Sequence, residues 1–232
     1  MDVGKSFTFV FEDEAWLTKL LLAAAILLLG VVFSWMLLIP LILALALLGG
    51  YGVETVRQVI GGNLNELPEW DNWGELIADG LKVIVIGIVY ALPILVVSIF
   101  LSIPIGIFAD NAQALSSLFS VLLSCLVLLW TIAVSIALPA AIVRWVAADD
   151  LSAAFRFGDV FGFVRDNLAT YLITFIMSWV ANLIGQLGSA VCGIGWLVTV
   201  PYAVMVTSHL YGQAYVAGTA QAAQPIVDEE IA

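Results

Sequence analysis

Long uncharged runs alternate with short polar connections along this chain. Residues 20–53, 83–109, 112–143 and 167–227 contain no Asp, Glu, Lys or Arg. A helix crosses the roughly 30 Å hydrocarbon core of a bilayer in about 20 residues, so each run holds at least one membrane span. Unbroken, the first would make a helix of about 51 Å at about 1.5 Å per residue, and it breaks best at GVVFSW, residues 30–35. The third begins near Leu118, because NAQALSS ahead of it reads as loop. The last is too long for one helix and carries a turn signal in GQLGSAVCGIG, residues 185–195. The pattern predicts one all-α membrane domain, a polytopic bundle of six spans at about 16–32, 36–58, 82–104, 118–144, 167–187 and 195–217.

Two of the connections are patterned as well. In WDNWGELIADGL the apolar residues Trp70, Trp73, Leu76, Ile77 and Leu81 recur at helical spacing, with Asp71, Glu75 and Asp79 on another side. This predicts an amphipathic helix over about 70–80, lying flat on the cytoplasmic surface and feeding span three, with Asn72 and Glu75 as a capping box. LSAAFRFGDVFGFVRDNL predicts a second, over about 151–164, with Phe157, Val160, Phe161, Val164 and Leu168 on one face and Asp149 or Asp150 as N-cap. The aromatic and aliphatic residues Trp70, Trp73, Leu76, Ile77, Phe157, Phe161 and Val164 are the expected docking surface toward lipid, the protein's own spans or a partner.

Charge fixes the expected orientation. With six spans Lys5, Lys19, Arg57, Lys82, Arg144, Arg156 and Arg165 all fall on one side, as the positive-inside rule requires. A five-span alternative that keeps the first run whole would put Lys5 and Lys19 across the membrane from the rest. Both termini are therefore expected in the cytoplasm, together with every acid but Asp110. The composition is 63% hydrophobic and 11% charged, with mean hydropathy +1.12, which excludes a soluble globular domain. A net charge of −11 argues against nucleic acid and anionic lipid surfaces, since both need basic clusters. The acidic start of the chain lacks the basic region of a cleavable signal.

The two patterned connections align loosely, Trp73 with Phe161, Gly74 with Gly162, Asp79 with Asp166 and Leu81 with Leu168, which reads as a duplicated unit. Span six echoes span two, with Pro201 matching Pro40 and Tyr211-Gly212 matching Tyr51-Gly52. FEDEAW, GGYGVETVRQV, LPEWDNWGELIADGLKVIVIGIVYALP, AAFRFGDVFGFVRDNLATYLI and PYAVMVTSHLYGQAY together resemble the prokaryotic membrane family catalogued as domain of unknown function 4013. The resemblance runs from about residue 7 to about residue 218, and the Pro-Glu-Trp-Asp-x-Trp-Gly block is its most specific part. More loosely, the chain is similar to membrane domains found beside some glycerophosphodiester phosphodiesterases, without their catalytic domain. The resemblance implies topology and no catalytic residue.

Chemistry is sparse. No ionisable side chain falls at the middle of a predicted span, where one would mark a pathway or an active site. Glu54 with Arg57, and Arg144 beside Trp145, read as interfacial anchors. His209 has no partner set for a metal and no serine-acid pattern, and reads as a satisfied core residue. Cys125 and Cys192 read as small buried hydrophobes. The acids Glu66, Glu69, Asp71, Glu75 and Asp79 suggest a divalent-cation site, but helical spacing spreads them around the axis, and a solvated face fits better. Ala133, Ala137 and Ala141, and then Gly158 and Gly162, recur every four residues and are expected at close helix contacts. No metal or cofactor is implied. The expectation is a non-enzymatic membrane-organising protein or complex subunit, whose partners are the lipid bilayer and a second copy or a larger membrane assembly. The alternative is a transporter or channel for a small apolar or lipid-like solute, its path lined by Ser98, Ser102, Ser124, Thr131, Ser135, Thr174, Ser178, Asn182, Thr207 and Gln213.

Overall fold

The computed structural model describes residues 1–33, 38–190 and 194–230, with side chains through residue 220. Among the described residues eight α-helices run in chain order: α1 Val3–Glu12, α2 Trp16–Val32, α3 Ile39–Ile60, α4 Trp73–Phe108, α5 Gln113–Ala148, α6 Phe157–Asp166, α7 Leu168–Leu187 and α8 Trp196–Glu230. Short 3-10 turns follow α5, at Leu151–Phe155, and α7, at Gly188–Ala190. Part of the expected break at 30–35 and part of the turn at 185–195, including Cys192, lie outside the described residues.

Four helical segments are long and apolar enough to cross a membrane: α3, α4, α5, and α7 with its following turn, Leu168–Ala190. The pair α1 and α2, bent by 93° at their joint, makes a fifth if taken as one broken span. The last expected span, 195–217, falls on α8, which is not among these. Its middle carries Thr207, Ser208, His209 and Gln213, all buried, and it packs on α1, α2, α3, α5 and α7. A helix wrapped by its own chain needs no uniformly apolar surface, because its neighbours satisfy the polar groups.

The segment predicted as a surface helix at 70–80 is not a separate element. It is the first part of α4, which continues unbroken for 36 residues and holds Pro93 and Pro104 inside. Nothing between Leu81 and Val83 favours a turn, and the early part of α4 is pinned against α3 instead of lying free. A Cβ added to Gly80 would stand 1.6 Å from the carbonyl oxygen of Ala46, and one added to Gly50 would stand 1.8 Å from that of Leu76. Only glycine lets the two backbones come this close. Asn72 is the N-cap residue, but its side chain makes no capping bond, so the expected capping box does not form.

The second patterned connection divides in two. Asp150 caps the 3-10 turn by accepting from Ser152 N–H at 3.0 Å, and α6 follows as a separate helix that stops where Asn167 folds its amide back on the Phe163 carbonyl at 2.9 Å. The proposed copies therefore differ locally, one running on into a long helix and the other ending at Asp166.

Two of the buried clusters among the described residues are the largest. One gathers Val53, Ile86, Tyr90, Ala137, Ala141, Trp145, Val160, Val164, Tyr171 and Ala214 from α3 through α8. The other gathers Phe9, Val10, Leu20, Ala23, Leu48, Tyr51, Leu67 and Met205, and is closed by α1.

Candidate functional site

The block Leu67–Trp73 is the most distinctive part of the sequence, and the structure uses it to bind three helices together at the α1–α2 joint. Leu67 is 2% exposed. Its N–H donates to Asp13 Oδ2 at 3.0 Å, and its carbonyl accepts from Lys19 Nζ at 2.9 Å. Lys19 also pairs with Asp13 at 3.0 Å and Glu69 at 2.6 Å. The carbonyl of Pro68 accepts from the Tyr51 hydroxyl at 2.9 Å. Trp70 stacks on the Tyr51 ring at 4.3 Å and 20°, and its indole N–H donates to the Lys19 carbonyl at 3.2 Å. The block is thus a strap, tied to the bundle by ion pairs and by its own main chain. Burial raises the Asp13 pKa, but the bonds from Lys19, Leu67 N–H and Ala15 N–H outweigh it and hold the carboxyl below its usual value.

A second ion-pair group lies beside the strap. Asp79, buried at the α3–α4 crossing, takes Arg57 at 3.0 Å and Lys82 at 2.7 Å, and Arg57 also holds Glu54. Between the two groups lies a cavity of about 380 Å³ whose charged walls are Glu54, Arg57, Glu69, Asp71, Glu75 and Asp79. Glu69 and Gln58 also line a neighbouring space of about 580 Å³ that includes Glu12, Asp13, Glu14, Lys19 and Glu66. The surroundings are strongly acidic, and both basic groups are already paired. Among the described residues no three His, Cys, Asp or Glu side chains are grouped so as to hold a metal ion.

The remaining part of the site latches α1 to α8. Gln213 grips the main chain of Asp2 from both sides, accepting from its N–H at 2.7 Å and donating to its carbonyl at 3.0 Å. His209 Nδ1 lies 2.9 Å from Ser6 Oγ, and the His209 ring stacks on Phe9 at 4.1 Å. The histidine is an interior group, partnered through Nδ1 but not Nε2, that locates α1.

The expected docking residues separate. Leu76 is buried, Trp70 and Ile77 are half-buried against α2 and α3, and Trp73 is 41% exposed with its indole on the Trp70 carbonyl at 3.0 Å. Val164 is buried, whereas Phe157 and Phe161 are 44% and 48% exposed. Ala137 and Ala141 do pack inside the bundle, but Ala133 is exposed. Gly158 and Gly162 make no close contact within this chain, since an added Cβ at either would meet nothing within 4 Å. Several hydroxyls proposed to line a path turn back on their own helices: Ser98 to Ile94, Ser124 to Ser120, Thr174 to Thr170 and Thr207 to Ala203. Sequence reasoning missed Asp13, Lys19, Tyr51 and Gly80. The signals available were a lysine placed just ahead of an apolar run and glycines facing one another across the 61–72 connection.

No curated protein and no solved structure matches the chain. One family model matches residues 33–194, spanning α3 to α7 and the strap but leaving out α1, α2 and α8. The chain belongs to that family, described as "Protein of unknown function (DUF4013)".

Proposed function

We propose that this is a non-enzymatic multi-pass protein of a prokaryotic cell membrane, with both termini in the cytoplasm, acting as a structural or complex-forming subunit. One observation carries the reading. Not one residue from 91 to 136 is buried, although this stretch of α4 and α5 includes Ile99, Phe100, Ile107, Leu118, Leu128 and Leu129, each more than 60% exposed. Such a surface is stable only against lipid or another protein. The polar groups elsewhere are engaged in holding the bundle together, which leaves this arm as its outward-facing part.

A carrier for a lipid-like solute is the second reading, favoured by an open apolar groove of about 590 Å³ between α2 and α3, walled by Ile26, Leu29, Leu43, Ala44 and Leu47 with Trp73 at its edge. Gentle extraction from native membranes, followed by intact-mass measurement, separates the two. The subunit reading expects an assembly heavier than the 24.9 kDa chain that dissociates when arm residues such as Phe100 and Leu129 are replaced by Ala. A lone monomer that moves a lipid analogue between vesicles would refute it and support the carrier.

A further inference from the structure

A small, partly open space lies where the arm joins the bundle. Pro93 stands inside α4 and has no N–H to return to the carbonyl of Val89. Across from it, Trp130 of α5 donates its indole N–H to the Tyr90 carbonyl at 3.0 Å, and the Tyr90 hydroxyl donates to the Ala154 carbonyl at 2.9 Å. A cavity of about 250 Å³ remains among Tyr90, Pro93, Trp130, Ala133, Phe157 and Phe161. The two phenylalanines, both from α6, are exposed, as are Pro93 and Ala133.

The nature of the walls limits the occupant. A buried water needs two to four polar partners, and the indole and hydroxyl that approach this space are already bonded to carbonyls. Left empty, an apolar cavity forfeits the dispersion contacts of all its lining atoms. The arm that begins at this point exposes hydrocarbon along both helices, so in a membrane the molecules at hand are acyl chains. Arg156, which directly precedes Phe157, adds positive charge at that side. Its guanidinium is 58% exposed and is held only at 3.3 Å, by Asp150 and by Ser152 Oγ. An anionic phosphate reaching it would have to displace Asp150.

We propose that this cavity holds one acyl chain of a phospholipid, with the phosphate of that lipid on Arg156. The inference rests on the arm lying in a membrane and on neither reading of the protein's role. The test is native mass spectrometry of the full chain after delipidation and re-addition of phosphatidylglycerol. Ala133→Phe fills the space, Arg156→Gln removes the charge, and Leu128→Phe enlarges a side chain on the open face of the arm. Wild type and Leu128→Phe should each retain one lipid. Ala133→Phe should reduce retention by about tenfold, the effect of losing the burial of a few methylenes. Arg156→Gln should abolish the preference for phosphatidylglycerol over an uncharged diglyceride of the same chains. If Ala133→Phe retains lipid as wild type does while melting at the same temperature, or if wild type retains none, the cavity is not a lipid site. An unchanged headgroup preference in Arg156→Gln overturns the phosphate contact. The same spectra report subunit mass independently, so failure here is distinguishable from failure of the subunit reading.

Discussion

The strap and the arm are built from stretches of comparable regularity, yet the fold treats them in opposite ways. The strap, acidic and carrying two tryptophans, is pulled onto the bundle through Asp13, Lys19, Tyr51 and Leu67. The arm, more apolar than anything else in the chain, is left uncovered over residues 91–136. Hydropathy alone would assign the burial the other way round. The difference teaches that in a lipid setting apolar surface needs no protein partner, while polar and charged groups do, so the polar residues are the ones that draw helices together.

This contrast can be broken most severely at the helix crossing that supports the strap. Gly80→Leu or Gly50→Leu drives side-chain atoms into the facing backbone, and the expected outcome is loss of the folded protein, read as aggregation on size-exclusion chromatography in mild detergent. Next comes the ion-pair group. Lys19→Met leaves Asp13 buried without its cation and should cost about 3–5 kcal/mol, measured by denaturant titration, with Trp70 fluorescence reporting release of the strap.

A pH effect follows from the same carboxylate. The pKa of Asp13 in the fold lies below its usual 3.8, so the stability gained from its ionised form is complete above that value and is lost as pH falls through the folded value. The melting temperature should drop in the acid range below about pH 4, and Asp13→Asn, already weaker at neutral pH, should show a shallower acid limb. On the arm the effects should be small. Ile99→Ala or Leu129→Ala should shift unfolding by less than about 0.5 kcal/mol, since neither side chain is buried in the protein. Opposite in sign is Gly158→Ala or Gly162→Ala in α6, which meets open space and should stabilise by a few tenths up to about 1 kcal/mol through helix propensity alone. A loss at either glycine would show that α6 is covered by something else in the working protein.

Much of the fold is legible along the chain, and the rest has identifiable reasons for being hidden. The uncharged runs give α3, α4, α5 and α7, and the period of LSAAFRFGDVFGFVRDNL gives the inward Val160 and Val164 of α6. α8 begins where the last predicted span does, yet its middle carries buried polar residues, and polar residues facing other helices of the same chain look the same in sequence as residues facing water. Helical spacing found the apolar face of 70–80 but not its continuity with α4, since nothing local records that Gly80 lies against Ala46. The ten-residue α1 escaped notice for a similar reason: Phe9 and Val10 are buried only because α8 presents His209 and Met205 to them.

The sequence by itself determined that this is an all-helical chain with several segments long and apolar enough to cross a membrane, because a run of hydrocarbon side chains has the same preference wherever it sits. Tertiary structure alone decided which tryptophans turn inward, which acids are paired and which half of α4 stays uncovered. Those outcomes depend on pairs of residues far apart in the chain, such as Lys19 with Leu67, Ser6 with His209 and Gly80 with Ala46, and their energies arise only when the helices have met.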